Sequence, residues 1–221
     1  MKGGQGLKKR NGGFTLVELI VVLSIFTLLL VIIVPSLNSI LGFRVQRAVN
    51  SIGAALDKTK IEASSRLVGA MKLEYRPNDG YYISYILDRG KIEENGDDII
   101  KTDQDEEKIA PAKTSISYFV GGQEKFLDNR NNEPNAIVIT YDRATGKFLP
   151  LMKTQTKDWE EDLKVLREVA KQNGDNTYLL KMQLGEDQFC SKIVVKGGSR
   201  TRTITLMQDT GKYKITAGET S

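Results

Sequence analysis

The chain has 221 residues, of which 40% are hydrophobic and 27% are charged, and its net charge is +4. It contains no histidine and a single cysteine, Cys190, which excludes an intramolecular disulfide and removes the commonest general base and metal ligand. Residues 1–13 carry four positive charges and no negative one, so the remainder sums to 4 − 4 = 0, and the basic isoelectric point is poor evidence for nucleic acid binding.

The first 13 residues form a basic leader. Their charged residues are Lys2, Lys8, Lys9 and Arg10. Such a segment stays in the cytoplasm by the positive-inside rule, so we expect the carboxyl-terminal bulk of the chain outside it. A secretory signal has a shorter apolar core followed by a small-residue cleavage site, whereas here the pair Gly12–Gly13 precedes the apolar run. Cleavage after Gly13 would leave a new amine on Phe14.

The apolar run after the leader predicts a transmembrane helix over residues 14–35. Phe14 to Val34 spans 21 residues, and Glu18 is the only charged one. A helix of that length rises about 31 Å, close to the hydrocarbon thickness of a bilayer. Pro35 ends the apolar run.

Glu18 is the unusual residue of this span, because a carboxylate inside a bilayer is unfavourable unless it has a partner. One interpretation is tolerance, since the residue lies one turn inside the helix and carboxylates suit helix N-termini. The other is that Glu18 meets a cation within the membrane. The amine of Phe14 on a neighbouring subunit would be such a cation if helices pack side by side.

The segment from Lys8 to Leu19, with Gly13-Phe14-Thr15-Leu16-Val17-Glu18 at its centre, resembles the prepilin signature of type IV pilins and type II secretion pseudopilins. The resemblance implies cleavage after Gly13 by a prepilin peptidase, which also N-methylates Phe14. It implies that Glu18 is the assembly glutamate and that Pro35 is the helix-kinking proline of that family. The implied partners are the peptidase, other pilin or pseudopilin subunits and membrane lipid. A plain signal anchor is the alternative.

After Pro35 the pattern becomes amphipathic and predicts that the helix continues over residues 36–69, with Gly69 as a candidate stop. Apolar residues recur at steps of three and four, which places one helix face on a globular core. They are Leu37, Ile40, Leu41, Val45, Ala48, Val49, Ile52, Leu56, Ala63 and Leu67.

Residues 70–221 alternate with period two and predict a β-rich head. The predicted strands are 71–75, 81–87, 115–120, 136–141, 178–183, 192–196, 201–207 and 212–216, with a return at 147–149. A short helix is predicted over residues 158–172, with Trp159 anchoring it on the sheet. The expected fold is therefore α+β: the pilin-like lollipop that the resemblance implies, a long N-terminal helix packed on an antiparallel sheet.

Residues 88–108 contain nine acidic and four basic residues and predict an exposed loop. A calcium site is conceivable there, because aspartate oxygens are hard ligands. The candidates are Asp97, Asp98, Asp103 and Asp105. Their spacing matches no established calcium loop, so a solvated loop is the preferred interpretation.

The tail offers a candidate interface with DNA. Residues 192–214 contain six basic residues and one acidic residue, Asp209. Arg200 and Arg202 are two apart in a predicted strand and should therefore share one of its faces. The basic residues are Lys192, Lys196, Arg200, Arg202, Lys212 and Lys214. Leu56 to Leu73 and the Gly198-x-Arg200-x-Arg202 strand resemble H-type minor pseudopilins and T-type fimbrial minor pilins, and the latter resemblance implies DNA binding. Pairing with the acidic loop or a solvated face are the alternatives.

No catalytic set, metal site or cofactor-binding motif is visible, so we expect no enzymatic activity and no cofactor. The sequence favours a minor pilin or pseudopilin, anchored by a single pass in the inner or cell membrane and drawn into a pilus or pseudopilus. The alternatives are a minor pilin that binds DNA for uptake and a signal-anchored surface domain that never assembles.

Overall fold

The computed structural model describes residues 15–65, 68–88, 101–102, 106–128, 130, 134–152, 185 and 188–218. Within them, side chains are described except at positions 32–41, 68, 88 and 101–102. The chain divides into two compact units, Met1–Ile40 and Leu41–Ser221.

The helix α1 spans Leu16–Ser65 and is continuous through position 35, as predicted. In the first unit the described side chains of residues 16–31 are all exposed. In the second unit one face of α1 is buried, and the predicted apolar stripe accounts for most of it. The buried helix residues are Val45, Ala48, Val49, Ile52, Gly53, Ala55, Leu56, Thr59 and Ala63.

The prediction that Gly69 ends the helix is wrong. The helix ends at Ser65, and Gly69 already lies in the first strand, β1, which spans Val68–Arg76. A Cβ on Gly69 would stand 2.4 Å from the backbone nitrogen of Ala63, so the strand backbone lies directly against the last helical turn. The glycine is therefore explained by this close approach rather than by a helix C-cap.

The first sheet contains β1, β2 (Gly80–Asp88), β3 (Lys101–Thr102), β4 (Glu107–Pro111) and β7 (Ala136–Thr140). Its order is β3-β2-β1-β7, and β4 also pairs with β2. The predicted β1–β2 hairpin is confirmed, with Arg76 opposite Gly80 around a turn at residues 77–79. All five residues of β7 are buried.

The second sheet contains β5 (Ser115–Val120), β6 (Gln123–Phe126), β8 (Cys190–Gly197), β9 (Arg200–Met207) and β10 (Lys212–Ala217). Its order is β10-β9-β8-β5-β6, and every pairing is antiparallel. The strand β6 was not predicted, because Gln123–Phe126 has only one apolar residue. It forms because Gly121 and Gly122, with φ of 57° and 80°, make a two-residue hairpin turn after β5.

A single hydrophobic cluster joins the buried face of α1 with both sheets, so the predicted α+β class is confirmed for the described part of the second unit. The single antiparallel sheet that was expected is wrong, because the described strands form two sheets. Tyr81 connects the sheets: its hydroxyl, on β2, accepts a hydrogen bond from the backbone nitrogen of Ile116 on β5 at 3.2 Å. Burial raises the pKa of Tyr81 to about 12, because the ionised phenol would be poorly solvated there.

The prediction of a loop over residues 88–108 is wrong at residues 101–102 and 107–108, which lie in strands, whereas Glu106, Glu107 and Lys108 are exposed as predicted. Both β3 and the start of β4 fall inside it, and Ile109 and Ala110, which follow, are buried. The two acidic residues described in this part have partners: Glu106 pairs with Arg76, and Glu107 accepts a hydrogen bond from the hydroxyl of Ser51 on α1 at 2.7 Å. Sequence alone underestimated this strand because its first two residues are charged.

Several predicted features lie outside the described residues. They are the helix at 158–172 with Trp159, the strand at 178–183, and the calcium candidates Asp97, Asp98, Asp103 and Asp105. Cys190, predicted to be a small packed residue in a strand, is buried at the start of β8.

Candidate assembly site

Thr15 and Glu18 form a reciprocal pair of hydrogen bonds at the start of α1. The backbone nitrogen of Glu18 donates to Thr15 Oγ1 at 3.2 Å, and the backbone nitrogen of Thr15 donates to Glu18 Oε2 at 2.8 Å. The Thr15 hydroxyl also donates to Oε2 at 3.0 Å. This arrangement is a capping box, which satisfies amide groups that the first helical turn leaves without partners.

Both contacts from Thr15 reach the same carboxylate oxygen of Glu18. The other oxygen, Oε1, accepts no hydrogen bond from the residues that the structure describes. The hydrogen bonds from Thr15 thus fix the orientation of the Glu18 carboxylate, while its Oε1 atom can still accept a hydrogen bond from another group. Sequence reasoning missed Thr15, although the Thr-x-x-Glu spacing that signals a capping box is present at residues 15–18.

The remaining polar side chains of this helical segment are also satisfied by their own helix. Between Leu16 and Val31 these are Ser24 and Thr27, which donate to the carbonyls of Ile20 and Leu23 at 2.8 Å each. The large apolar side chains of the segment are between 45% and 75% exposed. The segment therefore presents an apolar surface whose polar groups need no external partner.

Two of the predicted site residues, Gly13 and Phe14, lie outside the described residues, and Pro35 is described only as part of the continuous helix. Over the described residues, no helix has both the length and the apolar character of a complete membrane span.

The profile of the prokaryotic N-terminal methylation motif matches residues 8–34. The chain carries this motif. The match confirms the predicted resemblance to the N-terminal segment of type IV pilins and type II secretion pseudopilins, and it covers Gly13, Phe14 and Glu18. No curated protein and no solved structure matches the chain significantly.

The methylation motif does not include the basic residues between positions 192 and 214. In the structure these residues lie on both faces of the second sheet. Arg200 and Arg202 lie on the face of β9 that continues through the buried Ile204 and Leu206, so they share one face, as the alternation predicts. Arg202 is opposite Val195 on β8, which is fully buried. This is the core-facing side of the sheet, on which α1 packs.

The four lysines of the tail lie on the opposite face. Lys192 is opposite Thr205, which in turn is opposite Lys214, and Lys196 is opposite Thr201. Lys212 is opposite Met207 on the same side. The six basic residues therefore do not form one surface, and the predicted DNA interface is reduced to Arg200 and Arg202 on one face or the lysines on the other.

Proposed function

We propose that this chain is a pilin-like structural subunit, a minor pilin or pseudopilin, which a prepilin peptidase processes after Gly13 and which assembles through its N-terminal helix. The methylation motif at residues 8–34 carries the proposal. The capping box supports it, because it shows how the motif's glutamate is oriented at the start of the helix.

Membrane insertion of residues 14–35 is part of the proposal. The apolar side chains of residues 16–31 are exposed, and Ser24 and Thr27 bond to carbonyls of their own helix. A bilayer offers no water to hydrogen-bond with such groups, so a segment that satisfies them internally is suited to lipid. The basic leader would hold the amino end in the cytoplasm, leaving residues 70–221 outside it.

Assembly would use the oxygen of Glu18 that Thr15 leaves free. After cleavage, the amine of Phe14 on a neighbouring subunit is a cation of the right size and charge to meet it. In the low dielectric of packed helices, a subunit in the wrong axial register would leave both charges buried and unpaired, which is strongly unfavourable. The charge pair would thus select the stagger between subunits, and the chain would act as a structural component rather than as an enzyme.

The first experiment is mass spectrometry of the N-terminus of the chain purified from its native cell. We expect a polypeptide that begins with N-methylated Phe14. A chain that still begins at Met1 would contradict processing and would favour the alternative of a signal-anchored surface domain that never assembles.

The second experiment tests assembly with Glu18→Ala and uses Ser24→Ala as a matched control, because Ser24 is another polar residue of the same helical segment. We expect Glu18→Ala to lower the amount of subunit in sheared filaments at least about tenfold, since a buried amine would lose its partner. Membrane fractionation should be unchanged, and Ser24→Ala should assemble like wild type. Equal assembly of both variants would disprove the role of Glu18 and leave processing unaffected.

A further inference from the structure

The side of the second sheet that faces away from the core carries four lysines. This surface, the lysine face, is formed by Lys192, Lys196, Lys212, Lys214, Thr201 and Thr205. On β8 its lysines alternate with buried apolar residues. Thr205 on β9 lies between Lys192 on β8 and Lys214 on β10. Because adjacent strands are about 4.8 Å apart, the Cα atoms of these two lysines are about 10 Å apart, and Lys212 lies about 7 Å along the strand from Lys214.

The lysine face is not neutralised by carboxylates of its own chain. All four lysines are exposed, and none of them forms an ion pair within the described residues. The strands β8, β9 and β10 contain no acidic residue. Asp209, in the turn between β9 and β10, has its carboxylate 3.8 Å from the ammonium group of Lys147. The face thus has a charge of +4 that a partner rich in carboxylates would balance.

The same unit of the chain contains a segment of the opposite charge. Residues 88–105, here called the acidic segment, include seven acidic and three basic residues, so their net charge is 3 − 7 = −4. The segment is attached to the first sheet, since it begins at the end of β2, contains β3 and precedes β4. Both the lysine face and the acidic segment belong to the unit Leu41–Ser221.

The charge balance favours a second copy of the chain over a nucleic acid as the partner. From Phe14 onwards the positive and negative charges sum to zero, so the chain as a whole has no net charge to attract a polyanion. The acidic segment would also repel a polyanion that approached the lysine face. A second copy brings an acidic segment whose net charge is equal and opposite to that of the face.

We propose that the lysine face of one copy of the chain binds the acidic segment of a second copy. The proposal rests on the assembly of such chains proposed above, and it adds a contact that does not involve Glu18. Because the face and the segment are different surfaces, the contact is heterologous, and each added copy leaves one of each free for the next. Exposed ion pairs are individually weak and are screened by salt, so the contact matters most where assembly already holds copies close together.

The test is sedimentation velocity of the full chain in a non-ionic detergent at low salt, with two charge-reversal variants. Lys212→Glu/Lys214→Glu, the face variant, lowers the charge of the face to about zero. Glu93→Lys/Glu94→Lys, the segment variant, does the same for the segment. We expect each variant alone to self-associate about five- to tenfold more weakly than wild type, and we expect wild-type association to be lost in about 0.5 M salt.

A mixture of the two variants tests the pairing directly. The face variant keeps an intact acidic segment and the segment variant keeps an intact lysine face, so the mixture should form complexes of one copy each and no larger species. The matched control is Lys113→Glu/Arg143→Glu, which makes the same change in net charge at two exposed turn residues and should associate like wild type. Circular dichroism spectra would establish that every variant is folded.

Three outcomes would overturn the proposal. They are association of either variant alone at the wild-type level, an equal loss in the control, and a mixture that remains as dissociated as its components. Duplex DNA that binds wild type and is lost in the face variant, while self-association is unchanged, would assign the face to nucleic acid instead. Failure of the proposed function would appear separately, as a chain that still begins at Met1 or as normal assembly of Glu18→Ala, because sedimentation in detergent requires neither processing nor Glu18.

Discussion

Gly211 and Gly121 adopt the same left-handed backbone conformation, with φ of 57° at each, but their surroundings differ. Gly211 ends the turn between β9 and β10, and a Cβ there would stand 1.9 Å from the carbonyl oxygen of Gly146. A Cβ on Gly121 would meet no atom within 4 Å. Alanine substitutions at the two positions therefore separate the free-energy cost of the left-handed backbone conformation from the free-energy cost of a steric clash.

We expect Gly121→Ala to lower the free energy of unfolding by about 1–2 kcal/mol, the usual cost of a left-handed alanine. We expect Gly211→Ala to lower it by about 3–5 kcal/mol, because a backbone clash is added that no rotamer change can relieve. Urea denaturation followed by circular dichroism measures both. Equal losses at the two positions would show that the Gly211 turn can move away from Gly146.

At the scale of elements, Lys60 ties α1 to the second sheet. Its ammonium group donates to the carbonyls of Thr210 and Gly211 at 3.0 and 3.1 Å, both in the turn between β9 and β10. One turn earlier on the helix, Asp57 accepts a hydrogen bond from the hydroxyl of Tyr213 on β10 at 2.8 Å. The helix is thus bonded to the outer hairpin of the sheet by polar contacts in addition to the hydrophobic cluster.

We expect Lys60→Met to destabilise the chain by about 1–2 kcal/mol in urea denaturation, because two carbonyls lose a charged donor while the aliphatic stem is kept. Lys113→Met is the control: Lys113 is exposed in the turn between β4 and β5, and its replacement should change stability by less than about 0.5 kcal/mol. If Lys60→Met is as neutral as the control, the hairpin is held by apolar packing alone.

For several strands, local sequence patterns were sufficient to predict the element. The β1–β2 hairpin, β5, β7 and the last three strands were predicted because each has alternating or continuous apolar residues between turn signals. The strands β3, β4 and β6 were missed because β3 has two polar residues, β4 begins with two charged residues, and β6 has a single apolar residue. They are stabilised by pairing with β2 or β5, which no local pattern reveals.

At the scale of the whole molecule, the reactivity of the Cys190 thiol measures how often the core shared by α1 and both sheets opens. Cys190 is the first residue of β8, opposite Val120 on β5, and it is 6% exposed. Burial raises the pKa of its thiol to about 12, so the reactive thiolate is disfavoured in the folded state. It belongs to the cluster that joins α1 with both sheets. Its reactivity should therefore depend on opening of the core as a whole.

We expect Cys190 to react with a thiol reagent about a thousandfold or more slowly in buffer than in concentrated urea, because only the rare unfolded chains expose it. The matched control moves the thiol by one residue: Ser191 is exposed, so the double change Cys190→Ser/Ser191→Cys should label rapidly in the native state. Rapid labelling of Cys190 in buffer would mean that the β5–β8 region opens separately from the rest of the core.

The sequence by itself determined the N-terminal methylation motif, because the residues that define the motif are consecutive in the chain. Basic residues, the glycine pair and the apolar run all lie within residues 8–34, and the motif is recognised from these residues. The hydrogen bonds between Thr15 and Glu18 were seen only in the structure.

Only the tertiary structure showed where the charged residues and glycines of the second unit lie and which residues they contact. Arg200 and Arg202 were predicted to share a face, but pairing of β9 with β8 and β10 was needed to place that face beside Gly42 and to put the lysines on the other side. Gly69 resembled a helix stop, and only the packing of β1 on the last helical turn shows why a side chain is excluded there. Such assignments depend on contacts between residues far apart in sequence, and local periodicity carries no information about them.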